Sequence, residues 1–169
     1  MIKVSRLISI CILLLISNLI MAQEAPTVEE QMAGLQAMCS QTATARGERH
    51  AAKPLYERLG GTEKIEKLVR EIIRLHSVNE QIKHTLENVD QENLAKHLVD
   101  FISAGTGGTA EYTGRSMPAS HAHLKLTDAD FLAAGGDVIK AMQTLGHGQE
   151  EIDEFICILV SLKDQVVLK

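Results

Sequence analysis

The chain has no tryptophan, and phenylalanine and tyrosine together make only 3% of its 169 residues. Aromatic stacking platforms are therefore scarce. Net charge is −5, with no basic patch threaded by aromatics, which excludes nucleic acid as a partner. No stretch alternates apolar and polar residues as a half-buried strand would, and no internal repeat appears. Cysteine is sparse: of three, Cys11 lies inside an N-terminal apolar run, so Cys39 and Cys157 form one bridge at most. A multiply stapled scaffold is excluded. Cys157 sits in the apolar Phe155–Val160 run and reads as a buried residue, while Cys39 reads as exposed in a polar, Ala-rich stretch. A bridge and two free thiols are both compatible with that placement.

What is present begins with Lys3 and Arg6, followed by the apolar run Leu7–Met21 and the small residue Ala22. This order reads as a secretory signal peptide, residues 1–22, cleaved near Ala22. The run is short for a spanning helix and is interrupted by Ser17 and Asn18, so no stable membrane span is expected after cleavage. The expected location is exported, in the periplasm. Residues 23–52 are rich in Gln, Glu, Ala and Thr and read as a linker or loosely ordered arm, with a weak helix around Val28–Met38.

The compact domain is expected over 53–169. Pro54–Leu59 reads as a short helix stopped by Gly60-Gly61, with Thr62 as the next N-cap. Ile65, Leu68, Val69, Ile72 and Ile73 recur at i, i+3, i+4, i+7 and i+8, a strong amphipathic helix. Ile82 and Leu86 suit a short turn, and Asp90 caps a helix whose face is Leu94, His97, Leu98, Phe101 and Ile102. Thr127–Asp130 resembles a capping box before a helix carrying Phe131, Val138, Ile139, Met142 and Leu145. Ile152, Phe155, Ile156, Leu159 and Val160 mark the last helix. The fold class is all-α.

The stretch from Gly114 to Leu124 holds the chemistry. Met117, His121 and Leu124 share a helical face, so the His121 imidazole is turned toward an apolar core and needs a partner for its nitrogen. A metal or haem iron and a backbone carbonyl are both suitable partners. His123 follows at i+2 and points elsewhere, so the pair does not form one ion site. His50, His76, His84 and His147 read as surface residues.

Taken together, Leu55-Tyr-Glu-Arg-Leu-Gly-Gly61, Val89-Asp90, His97-Leu-x-x-Phe101, Gly107-Gly108, Glu111-Tyr112-Thr-Gly-Arg115 and Met117-x-x-x-His121-x-x-Leu124 resemble the group I truncated haemoglobins, from Leu55 to about Val167. The resemblance implies a truncated, two-over-two globin fold holding haem b, with His121 at the proximal-ligand position. Leu94, Leu98, Phe101, Ile73, Leu86 and Met117 would line the haem, and Tyr112 and Arg115 would stand near its propionates. The chain lacks Cys-x-x-Cys-His, so covalent attachment through that motif is excluded.

Two departures from the family alter the expectation. The family's Phe-Tyr pair in the second helix is Ile72-Ile73 here, and its haem-packing Phe is Leu86. Without the tyrosine hydroxyl, bound oxygen loses its usual donor. Meanwhile His97 aligns without gaps to a histidine that some cyanobacterial members use as a sixth iron ligand. It is thus a candidate distal ligand, the alternative being a histidine that reaches solvent or a propionate. The resemblance implies a haem protein that binds a diatomic ligand, oxygen or nitric oxide, or passes electrons to a partner. A haem enzyme (nitric oxide dioxygenase or peroxidase) and a globin-shaped module without haem are the competing readings.

Overall fold

Thr27 starts the first helix seen in the computed structural model, which describes residues 24–168. Its hydroxyl accepts from the Glu30 N–H at 3.2 Å, and the Glu30 carboxylate accepts from the Thr27 N–H at 2.8 Å. This reciprocal cap opens α1 (Val28–Gln41), and α2 (Ala43–Ala52) follows directly. The loosely ordered arm expected over 23–52 is therefore two helices from Val28 onward. The physical reason lies far along the chain: Met32 is buried, and Leu35 and Met38 pack on the core, against residues more than a hundred positions later. Three apolar residues make too thin a stripe for periodicity to reveal.

The rest follows in order: α3 (Leu55–Arg58), α4 (Gly61–His76), a 3-10 turn (Lys83–Leu86), α5 (Gln91–Gly105), α6 (Met117–His121), a 3-10 turn (Ala122–Leu124), α7 (Asp128–Thr144) and α8 (Gln149–Val166). Thr62 does not cap α4 as expected. The helix starts at Gly61, with Gly60 in the left-handed region at φ 95°. The Tyr56 hydroxyl takes the capping role, accepting from the Thr62 N–H at 3.2 Å. Asp90 does cap α5, its Oδ1 accepting from the Glu92 and Asn93 N–H groups. The Thr127–Asp130 capping box opens α7 as expected.

Helices α4 and α5 form one pair, α7 and α8 the other, and α4 rests on α7. This is a two-over-two helical sandwich, and no strand occurs among the described residues. Leu55, Ile65, Leu68, Val69 and Met142 are fully enclosed at its centre. Each such side chain contributes about 1.5–3 kcal/mol by leaving water. Helix α1 lies across α7 and α8 on the outside. Among the described residues no helix is long and apolar enough to cross a membrane. The expected signal peptide and its cleavage point at Ala22 fall outside the described residues.

Candidate functional site

Ser116 opens α6, its hydroxyl accepting from the Ala119 N–H at 3.4 Å, and Pro118 occupies the first turn where no N–H is needed. The helix is only five residues long, which leaves His121 at its last position. There the His121 Nδ1 lies 2.8 Å from the Met117 carbonyl oxygen. A carbonyl can only accept, so Nδ1 is the donor, and in the neutral ring Nε2 is left with its lone pair. His121 and Met117 are both half-buried. This ring orientation is what a metal-ligating histidine requires of its second nitrogen.

On α5, Leu94, Leu98 and Phe101 are half-buried and pack against the core, which also includes Ile73 from α4. Leu86, closing the 3-10 turn, is half-buried too. Large apolar side chains left partly open on a helix face form a surface suited to a flat apolar ligand. The Thr85 hydroxyl donates to the Ile82 carbonyl at 2.7 Å and is thereby engaged. Leu94, Leu98, Leu86 and Ile73 carry no polar side-chain atoms, so this face offers no donor except His97.

His97 is half-buried and makes no hydrogen bond among the described residues. Its ring meets the Tyr112 ring edge-on, centroids 6.5 Å apart, and Tyr112 meets Phe101 at 5.1 Å. The Tyr112 hydroxyl donates to the Arg115 carbonyl at 2.7 Å, tying the loop before α6 to the α5 face. The structure thus brings His97, Phe101 and Tyr112 together. The Arg115 side chain is exposed and unpaired among the described residues. No group of three His, Cys, Asp or Glu side chains suited to a bare metal ion occurs among them either.

Two groupings escaped the sequence. His76, expected at the surface, is only 20% exposed, and its Nδ1 lies 3.0 Å from Asp137 Oδ2, which also accepts from Asn79. Burial pushes the His76 pKa below its ordinary value, against the opposing pull of Asp137. Glu154, buried on α8, accepts from Arg58 Nη2 at 2.5 Å, while Arg58 Nη1 donates to Glu151 at 3.0 Å. Arg49 and His50 from α2 lie 3.9 and 3.6 Å from the same Glu154 carboxylate. Glu154 stands two residues after Ile152, off the apolar stripe, so periodicity carried no signal for its burial. Neither grouping includes His121 or His97.

Comparison with known proteins falls on the same residues. Residues 54–167 match the family described as Bacterial-like globin. The chain is 27% identical over 100 residues to the Group 1 truncated hemoglobin of Tetrahymena pyriformis, covering 59% of this chain and 83% of that protein. It is 29% identical over 108 residues to the Group 1 truncated hemoglobin GlbN of Synechocystis, covering 62% and 87%. Among solved structures it is similar to the 2/2 hemoglobin of Synechococcus sp. PCC 7002, in the cyanomet state and with covalently attached heme. That likeness has TM-score 0.64 and 31% identity over 68% of this chain and 98% of the other. The Fe(III) form of the T. pyriformis protein superposes with TM-score 0.67 over 69% of this chain and 100% of that one, at 24% identity, a likeness of fold alone.

Proposed function

The chain belongs to the bacterial-like globin family, as a truncated haemoglobin of group I, and from that premise we propose that it is an exported haem b protein whose iron is held by His121. The observation that carries this reading is the 2.8 Å contact between His121 Nδ1 and the Met117 carbonyl, which leaves Nε2 bare on a half-buried ring. The residues present fit the group. Leu94, Leu98, Phe101, Ile73, Leu86 and Met117 would hold it by apolar contact. Tyr112 and Arg115 stand on the rim segment before α6. When bound, haem supplies an iron centre that takes a diatomic ligand or exchanges one electron.

This chain's own residues bear on which part of that chemistry is used. A ligand that gathers negative charge needs a hydrogen-bond donor beside it. Ile73, Leu94, Leu98 and Leu86 offer none, and the Thr85 hydroxyl is committed to Ile82. Oxygen storage is disfavoured, and nitric oxide binding or electron transfer is favoured. His97, which makes no hydrogen bond among the described residues, is a side chain on this face able to donate or to act as a sixth ligand.

An optical titration with haemin, followed by reduction with dithionite, tests the reading. A sharp Soret band with split visible bands in the ferrous state is expected, collapsing to a five-coordinate spectrum in His97→Ala. His121→Ala should lose tight binding. An unchanged spectrum in His97→Ala would remove His97 as a sixth ligand. Absence of any Soret change on mixing with haemin would remove the haem reading itself.

A further inference from the structure

Cys39 on α1 and Cys157 on α8 form a disulfide, their Cα atoms 5.4 Å apart across 118 residues of sequence. The bridge lies in an open groove of about 380 Å³ lined by Gln36, Ser40, Arg46 and Ser161 beside the two cysteines. Both cysteines line the groove, Cys39 the more exposed residue of the two. The Arg46 guanidinium is fixed there, donating to the Cys39 carbonyl at 2.6 Å and to Thr42 Oγ1 at 3.1 Å. A fixed cation next to a reachable disulfide favours an approaching thiolate and the thiolates that the bridge yields.

The bridge also joins two surfaces whose other attachments are thin. Helix α1 buries Met32 fully and Leu35 and Met38 in part, while α2 buries no residue and leans on Glu154 and Glu150 through Arg49 and His50. Under α1 runs a second groove of about 400 Å³ along α7 and α8, apolar, with Phe131, Leu132, Ile139, Ile156 and Leu159 in its walls. Gly34 faces it from α1 and Gly135 from α7, and nothing lies within 4 Å of where either would carry a Cβ. The helices are not interlocked along this line. Apart from the bridge, α1 is held by Met32, Leu35 and Met38.

We propose that Cys39–Cys157 is a thiol–disulfide exchange site, opened by a dithiol reductant entering the Arg46 groove, and that its opening releases α1 from the α7–α8 face. One thiolate of the dithiol attacks Cys39 Sγ, forming a mixed disulfide as the Cys39–Cys157 bond breaks and Cys157 leaves as a thiolate. The reductant's second thiolate then attacks its own sulfur in the mixed disulfide, closing into a cyclic disulfide and freeing the Cys39 thiolate. Two electrons pass from the dithiol to the bridge, and the two cysteine thiolates take up protons according to their pKa values. The released helix uncovers the apolar groove.

The test uses the purified protein in native buffer with dithiothreitol as the dithiol. Alkylation and mass measurement follow bridge opening, and hydrogen exchange follows each helix. The bridge is expected to open without denaturant, and amides of Val28–Gln41 to exchange at least about ten-fold faster, while Gly61–His76 keeps its protection. Cys39→Ser should show the released pattern without reductant. Arg46→Gln should slow opening roughly five-fold, the factor one charge pair at 4 Å supplies in water. A bridge that opens only when the whole domain unfolds overturns the proposal. So does an α1 that keeps its protection after reduction of the native protein, a readout that holds even if Cys39→Ser fails to fold. An unchanged opening rate in Arg46→Gln overturns the groove's part in it.

Discussion

His121 and Met117 are joined by a bond from the imidazole Nδ1 to the main-chain oxygen one turn upstream, at 2.8 Å. The acceptor is backbone, so no substitution of Met117 abolishes it directly. The bond fixes the tautomer before any ligand arrives, and that pre-organisation lowers the cost of binding.

Nitrogen-15 spectra of the haem-free protein at pH 8 are therefore expected to show His121 protonated at Nδ1 and bare at Nε2. A predominant Nε2–H form would contradict the bond. His121→Ala should weaken haemin binding by at least about 100-fold, since even the loss of a group that merely orients a ligand costs 10–100-fold.

The burial of His76 gives a pH dependence with a definite sign, which its contact with Asp137 only partly offsets. The folded-state pKa of His76 is lowered, chiefly by burial. The unfolded chain therefore binds a proton that the folded chain resists. Stability is full above about pH 6.5 and falls as pH drops toward the lower folded value. Urea midpoints should decline between pH 7.5 and 5, and His76→Gln should flatten part of that slope. His147, whose pKa burial also lowers, accounts for a further part. A slope unchanged in His76→Gln would remove this assignment.

Arg58 and Glu154 are 12% and 5% exposed at their side chains, and without Glu154 the Arg58 guanidinium keeps only Glu151. Glu154→Ala is expected to cost less than the roughly 3–5 kcal/mol of a wholly unpaired buried charge, about 1–3 kcal/mol in urea unfolding. Replacing both, as Arg58→Met with Glu154→Leu, should recover most of the loss. A double variant no better than the single one would show that the pair adds stability of its own.

Gly108 has no room for a side chain: a Cβ would lie 2.8 Å from the Ser103 carbonyl oxygen and 2.8 Å from Tyr56 Cδ2. Gly108→Ala is expected to destabilise by about 1–3 kcal/mol, the range for overpacking a close-fitted site. Gly34→Ala meets nothing within 4 Å and should be neutral or stabilising by up to about 1 kcal/mol. Thermal melts of the two variants separate the cases.

Where local periodicity was strong, the sequence was sufficient. The stripe Ile65, Leu68, Val69, Ile72 and Ile73 is buried throughout α4, and the caps at Asp90 and Thr127 stand where their side chains predicted. Thr62 misled because the competing cap, the Tyr56 hydroxyl, comes from a neighbouring helix. Burial of Glu154 and His76 was invisible for a similar reason: each is made tolerable by a partner dozens of residues away, Arg58 and Asp137. The same holds for the arm, whose few apolar residues have meaning only opposite α8. At the candidate site, the apolar face around Leu94 and Leu98 was legible from spacing. The hydrogen bond that orients His121 required the turn of α6 to be seen.

Helix α1 rests on α8, the last helix, and is tied to it by Cys39–Cys157. A chain made from its N-terminus thus presents α1 long before the surface that receives it exists. The globin helices can pair through contacts nearer in sequence, α4 with α5 and α7 with α8, whereas closing the arm onto α8 spans nearly the whole molecule. The order of emergence and the order of assembly are consequently opposed: α1 leads the globin helices out and is among the last to find its place.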